Sequence, residues 1–499
     1  MKRTTLSLIA CATALAAVTG FAAVSAPDGS GTDTAAPAAR LPVERTSLLC
    51  PAPSTSDLAE TAYTSFTPVT KGADEKGGAE LTTAETAADG GKDDKGGKGE
   101  KDEKPVVQPK APGTPAAGET TGADTPALIG TAEGGTAPGW TVQQTTEVAA
   151  GTGRGLQGVN CTAPDTEFWF PGASTATGRT DYVHLTNPDD SAAVVDIELY
   201  GKDGALKSTV GEGVTVPPHT SESLLLSTLS EVKETDLTVH VGVRSGRVGA
   251  AVQALDDKTG GDWLTAAADP ASELVLPGIP KDATAVRLVL FTPGGTDADL
   301  KVRLASPSGL ITPAGHETVH VKAGMTTGVD LGEVTRGEAG SLVLTPTDGA
   351  VPVVAAVRVV RGKGDEQESA FVPASDPVGA RATVADNRAK STTLALAAPG
   401  EAAKVKVTAS AGTEGGTPAT KTYTIKAGTT QNVDAPVPAG LKGSYALTVE
   451  TVSGGPVHAS RILTGSDDDV AAFTVQTLPD DRGMVSVPNA DEDLKVLQK

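Results

Sequence analysis

The stretch VVDIELYGKDG, residues 194–204, decides how this chain is read. Val195, Ile197 and Leu199 alternate with Asp196 and Glu198. Successive strand side chains point to opposite faces, so the stretch predicts a half-buried strand with one dry face and one wet face. The pattern recurs downstream. TDYVHLTNP ends at Pro188, AVRLVLFTP at Pro293 and STTLALAAP at Pro399, and each is followed by an alternating triplet: Val195, Ile197, Leu199, then Leu300, Val302, Leu304, then Val405, Val407, Ala409. The wet partners are Asp196 and Glu198, Lys301 and Arg303, Lys404 and Lys406. Further along, Leu237 and Val239 correspond to Leu342 and Leu344 and to Leu447 and Val449, and GRVGAAVQAL, VPVVAAVRVV and GPVHASRIL supply a last strand each. A period near one hundred residues, filled with short strands and turns, predicts an all-β chain of three tandem immunoglobulin-like or fibronectin-like β-sandwich modules. Their expected bounds are 140–268, 273–374 and 378–499, the last including a C-terminal tail. The Cys…Trp…Cys pattern of true immunoglobulin domains is absent, so only the architecture is implied.

Composition agrees. Aromatics are 3% of 499 residues, and the 58 Gly and 34 Pro mark turn-rich β structure with cores of Val, Leu, Ala and Thr. A formal charge of −21 excludes a nucleic-acid partner, because phosphate binding draws on clustered Lys and Arg.

At the N-terminus, Lys2 and Arg3 precede an uncharged run from Thr5 to Ala26. This is an export signal over residues 1–26, either cleaved near Val24-Ser25-Ala26 or kept as one membrane anchor, since about 22 residues span about 33 Å as a helix. Both outcomes place the remainder outside the cell, secreted or at the surface, and restrict membrane contact to this segment. In an oxidising compartment, Cys50 and Cys161 are expected to form a disulfide. Closing so long a loop contributes about 4–5 kcal/mol in the chain-entropy model. Residues 41–67 read as strands packing on the first module. Residues 71–139 are so poor in aliphatic side chains that they read as a disordered low-complexity insertion near the N-terminus.

WFPGAS, LTNP, GRVGAAV, DWL, LPGIP and FTVQTLPDDRG resemble an actinobacterial family of secreted or membrane-anchored cell-envelope proteins defined by a domain of unknown function. The resemblance covers most of the chain outside the signal and the insertion. It implies an envelope location and carries no catalytic residues.

Constellations for chemistry are missing from the sequence. The six histidines, His184, His219, His240, His316, His320 and His458, show no HExxH or other metal-ligand spacing. His316 and His320 would share a face only on a helix, and their surroundings read as a strand. No GxSxG, SxxK or P-loop occurs. Asp467-Asp468-Asp469, Asp480-Asp481 and Asp491-Glu492-Asp493 read as solvated loops. No enzyme, cofactor or metal is therefore expected, and an envelope-polymer hydrolase has no candidate residues.

One arrangement stands out in so aromatic-poor a chain: Phe168, Trp169 and Phe170 in a run, with Trp140 upstream and Trp263 near the end of the first module. Trp169 must face away from its two neighbours. Trp169, Phe168, Phe170 and Trp263 are thus a candidate binding surface for a sugar ring or protein partner, or else Trp169 and Trp263 fill module junctions. The segments 259–273 and 362–377 read as short linkers between packed modules. Together these readings predict a non-enzymatic exported rod acting as a structural or protein-interaction scaffold, with an envelope protein as partner. The alternative partner is a wall polysaccharide held by the aromatics.

Overall fold

A computed structural model of the chain describes residues 38–74, 76–86, 104–208, 210–465 and 472–488. The expected export signal and the acidic runs 467–469 and 491–493 lie outside the described residues. The stretch that opened the reading forms the strand Ala193–Gly201, whose side chains alternate between buried and more exposed along its length. It turns back at Lys202-Asp203 into the short strand Gly204–Leu206. Nearly all regular structure is β, and the α-helix Leu226–Leu229 is a single turn.

The repeat seen in sequence is a repeat of topology. In the sandwich around this strand, one sheet runs in the order Glu167–Ala173, Leu237–Ser245, Ala193–Gly201, Gly204–Leu206. The other runs Gly260–Leu264, Gly249–Asp256, Arg179–Thr186, Thr220–Leu225. The same order returns twice downstream, with centres at Ala298–Ser306 and Ala403–Gly412. The apolar triplets face inward as the alternation predicts: Val195, Ile197 and Leu199, then Leu300, Val302 and Leu304, then Val405, Val407 and Ala409 each lie in the core of their own sandwich.

Upstream, the structure departs from the expectation. Arg45–Cys50, Leu128–Gly134 and Gly77–Thr83 form one sheet; Ala116–Thr121, Ala59–Phe66, Thr141–Val148 and Gly155–Asn160 form another, again in the repeated order. Among the described residues there are thus four sandwiches rather than three. Residues 41–67 do not merely pack on the module expected at 140–268: they build a sandwich of their own, which also takes Trp140 into its core. The segment 71–139, read as a disordered insertion, contributes three of its strands. Ala79, Leu81, Val107, Leu128 and Ala132 from this segment point inward and are almost completely buried. Composition averaged over a window missed this, because small residues placed on one face bury enough surface when their partners come from elsewhere in the chain.

Cys50 and Cys161 are bonded, with Cα atoms 4.5 Å apart. The disulfide joins the end of the first sandwich's opening strand to the residue after its last strand, inside its core. No helix among the described residues is long and apolar enough to cross a membrane. Pro42–Met484 forms one unit that holds all four sandwiches. Ala39–Pro42 and Met484–Val487 pair as a separate two-stranded sheet.

Candidate functional site

Each sandwich ends on a strand at the edge of its sheet: Gly155–Asn160, Gly260–Leu264, Glu368–Pro373 and Phe473–Thr477. An edge strand in a lone sandwich exposes one row of backbone groups to water. Here all four are buried along nearly their whole length. They are buried against one another, the first packing on the second, the second on the third, the third on the fourth, and the fourth on the first. The row of modules expected from the repeat is therefore corrected to a cycle of contacts. Asn160 Nδ2 donates to the Thr477 carbonyl at 3.2 Å, a contact between the first and last sandwiches that an end-to-end rod does not permit. Two of these strands lie within 259–273 and 362–377, which read as linkers in the sequence.

Polar side chains pin the meeting point. Asp262, 1% exposed, accepts from the Gly158 N–H at 3.1 Å and from Thr474 Oγ1 at 3.0 Å, so one carboxyl ties the second sandwich to the first and the fourth. The Thr474 hydroxyl accepts in turn from Gln476 Nε2 at 2.7 Å, and Gln476 Oε1 accepts from Arg461 Nε at 2.8 Å. On the other side, Gln253 Nε2 donates to Gln157 Oε1 at 2.9 Å, again across two sandwiches. Gly158 has to be glycine: a Cβ there would lie 2.0 Å from Gln476 Nε2 and under 3 Å from Thr474. Glu368 of the third sandwich lies against Gly155 of the first and accepts from the Phe473 N–H of the fourth.

Burial sets the charge state of this centre. It pushes Asp262 well above the usual carboxylate range, with the nearby Glu368 charge adding to the effect. Burial also raises Glu368 to about 7, against the pull of Arg154 and Arg361. Arg461, fully buried, is lowered to about 10 by the same cause. Raised acids suit so dry a position, where an unpaired carboxylate would cost several kcal/mol. A carboxyl this enclosed works as a structural pin rather than as a group that meets a ligand.

The expected aromatic surface is absent. Phe168 and Phe170 lie in the core of the second sandwich. Trp169, 5% exposed, stacks on His240 at 3.9 Å on one side and on Phe291 of the third sandwich at 5.5 Å on the other. Trp263, 2% exposed, packs with Val159 of the first sandwich and Ala251, and meets His184 edge-on at 5.1 Å. Of the two readings of these side chains the binding surface is corrected and the junction filling holds: Phe168 and Phe170 fill a core while Trp169 and Trp263 fill junctions, because the large apolar area of a Trp is worth most where two sandwiches can cover both of its faces.

A shallow cleft between the first and second sandwiches is lined by Leu49, Asn160, His184 and Thr265 among others. His184 Nδ1 lies 2.9 Å from Ser223 Oγ, a pairing the sequence reading did not single out. The two residues are cross-strand neighbours, and only knowledge of strand register could have found them. Burial lowers His184 to about 4, so it is neutral at pH 7. His320 lies on the strand Thr318–Val321 and His316 in the turn before it. No group of three or more His, Cys, Asp or Glu among the described residues is placed to hold a metal ion.

The model of a family of unknown function, DUF5719, matches residues 116–436. The match begins at the strand Ala116–Thr121, inside the segment whose composition suggested disorder, and ends just after Thr429–Asp434 of the fourth sandwich. No curated protein and no solved structure matches the chain. With more than half its length matched, the chain belongs to the DUF5719 family.

Proposed function

We propose that this chain is a non-enzymatic exported protein of the cell envelope, acting as a rigid scaffold that presents the outer faces of its sandwiches to a protein partner. The observation that carries the reading is the mutual burial of the four closing strands, which locks the sandwiches into one frame. The most conspicuous aromatic and ionisable side chains, Trp169, Trp263, Asp262, Glu368 and Arg461, are spent on that frame. What remains for recognition is the wet side of each outer sheet. A disulfide in the core of the first sandwich fits an oxidising compartment, and so does the uncharged run from Thr5 to Ala26. Secretion and anchoring by this run are equally compatible with the scaffold role.

Cell fractionation after in vivo cross-linking tests the proposal. The expected result is recovery of the chain in the envelope or medium, cross-linked to a defined protein in constant ratio. Recovery in the cytosol with reduced cysteines would overturn it.

A further inference from the structure

In each sandwich the sheet that ends on the closing strand has a second edge on its far side, and the four sandwiches treat that edge differently. In the second, it is the strand Thr220–Leu225, and a piece of chain from the first sandwich is added to it. Glu85–Thr86 runs parallel to Thr220 and Ser221, with the Glu85 N–H donating to the His219 carbonyl at 3.0 Å. In the third, Thr326–Gly332 begins against the second sandwich, where Thr326, 3% exposed, donates from Oγ1 to the Tyr200 carbonyl at 2.6 Å. In the fourth, Thr429–Asp434 begins with two buried threonines, and Thr430 Oγ1 donates to Ser341 Oγ of the third at 2.9 Å. The corresponding strand of the first sandwich, Ala116–Thr121, has no buried residue along its length and, among the described residues, no strand paired with its outer edge.

That edge is regular. The Gly122 N–H donates to the Ala59 carbonyl at 2.9 Å, so the antiparallel ladder exchanges its bonds at Thr61–Thr120, Tyr63–Gly118 and Ser65–Ala116. The N–H and C=O groups of Ala117, Glu119 and Thr121 therefore point away from Ala59–Phe66. Neither a bulge nor a proline, two common ways of blunting an edge, interrupts the strand. Ala117, Glu119 and Thr121 are exposed, and Glu60, also exposed, is the diagonal neighbour of Glu119 on the same face.

We infer that this edge takes an extended strand from a partner protein, lengthening the sheet of the first sandwich as Glu85–Thr86 lengthens that of the second, with lysine or arginine of the partner facing Glu119 and Glu60. Main-chain bonds supply the affinity of such an addition, and alternate side chains its selectivity. A second copy of this chain fits less well, because pairing two such strands sets their Glu119 carboxylates opposite or diagonal to each other on one face, where like charges repel. The inference deepens the scaffold reading and rests on it for the partner being a protein.

The test uses the full oxidised chain and a labelled short peptide of alternating lysine and threonine, with binding followed by anisotropy. Wild type is expected to bind this peptide, and to bind its fully N-methylated form at least about tenfold more weakly, because methylation removes the N–H donors and keeps the charge. Glu119→Pro removes an outward N–H that Ala59–Phe66 does not use; it is expected to keep the melting temperature and to weaken binding at least about tenfold. Glu119→Lys is expected to exchange the preference, taking a peptide of alternating glutamate and threonine over the lysine peptide. Equal binding of the N-methylated peptide, an unchanged preference in Glu119→Lys, or no binding of the lysine peptide at about 1 mM would overturn the inference. So would a dimer of the unliganded chain that Glu119→Pro dissolves. These outcomes are read on the purified chain and leave the fractionation result, which decides the scaffold reading, to stand or fall separately.

Discussion

The junction between the second and third sandwiches and the seam between the fourth and first do the same job with different chemistry. At the former, Trp169 stacks on Phe291, Tyr200 leans on the same ring at 4.6 Å, and Ala356 and Phe371 of the third sandwich enter the core of the second. The third and fourth are joined in the same way, with Ile462, Phe473 and Val475 in the core of the third. At the seam, apolar contact shrinks to two small groups, Phe66 with Ala385 and Ala446, and Leu156 with Leu463 and Ala472. Polar pairs supply the rest. Arg381, held by Asp481 on its own side, donates across the seam to Thr70 Oγ1 at 2.9 Å and to the Pro138 carbonyl, and Arg388 pairs with Glu147 at 2.9 Å. A polar seam suits two sandwiches that meet late: the face of the first that meets the fourth stays open until nearly the whole chain is made, and an apolar face left open for that time would invite aggregation.

Removing the ring at the apolar junction should have the largest effect. Trp169→Ala is expected to cost about 4 kcal/mol in urea unfolding, the usual range for a buried Trp truncated to Ala. A loss below about 1 kcal/mol would mean that the stack on Phe291 adds little and that the contrast between junctions is false. At the seam, Arg381→Ala leaves Asp481 buried without its partner and should cost about 3 kcal/mol. Hydrogen exchange should then quicken in Ala59–Phe66 and Arg381–Asn387 while Glu167–Ala173 stays protected. Uniform acceleration would show that the seam and the apolar junction open as one.

A further effect should appear with pH, from the carboxyls at the centre. Glu368 titrates higher in the folded chain than in the unfolded one, so between its ordinary range and about 7 the folded state binds more protons. Stability is therefore fully present below about 4.3 and is lost as pH rises toward 7, about 3 kcal/mol for this group, with Asp262 changing stability in the same direction. Glu368→Gln should flatten the profile between pH 4.5 and 7, read as urea midpoints at stepped pH; an unchanged slope would place the dependence elsewhere. Smallest of all should be Arg45→Ala. Its pair with Glu133 at 2.5 Å is exposed on both sides, and a surface pair of this kind changes stability by less than about 1 kcal/mol in the same unfolding assay.

Much of the fold was legible because it is written in local rhythm. Val195, Ile197 and Leu199 declare a buried face without reference to anything distant, and the recurrence of that face declares a repeat. Ala79, Leu81 and Val107 declare nothing by themselves, since three small or isolated apolar residues among charges look like a solvated segment. Asp262 and Glu368 were hidden for a related reason: both sit in stretches short enough to pass as linkers. Their neighbours Trp263 and Phe371, apolar and placed near the repeat spacing, were the available sign that another strand belonged there.

The sequence by itself determined that this is a β chain of repeated sandwiches, and it named the two cysteines that are bonded, because strand periodicity and cysteine count are properties of neighbouring residues or simple inventory. Only the tertiary structure decided that a fourth sandwich exists, that the closing strands bury one another in a cycle, and that the tryptophans lie inside. Those outcomes depend on which surfaces meet after folding, and contact between residues hundreds of positions apart leaves no rhythm in the chain.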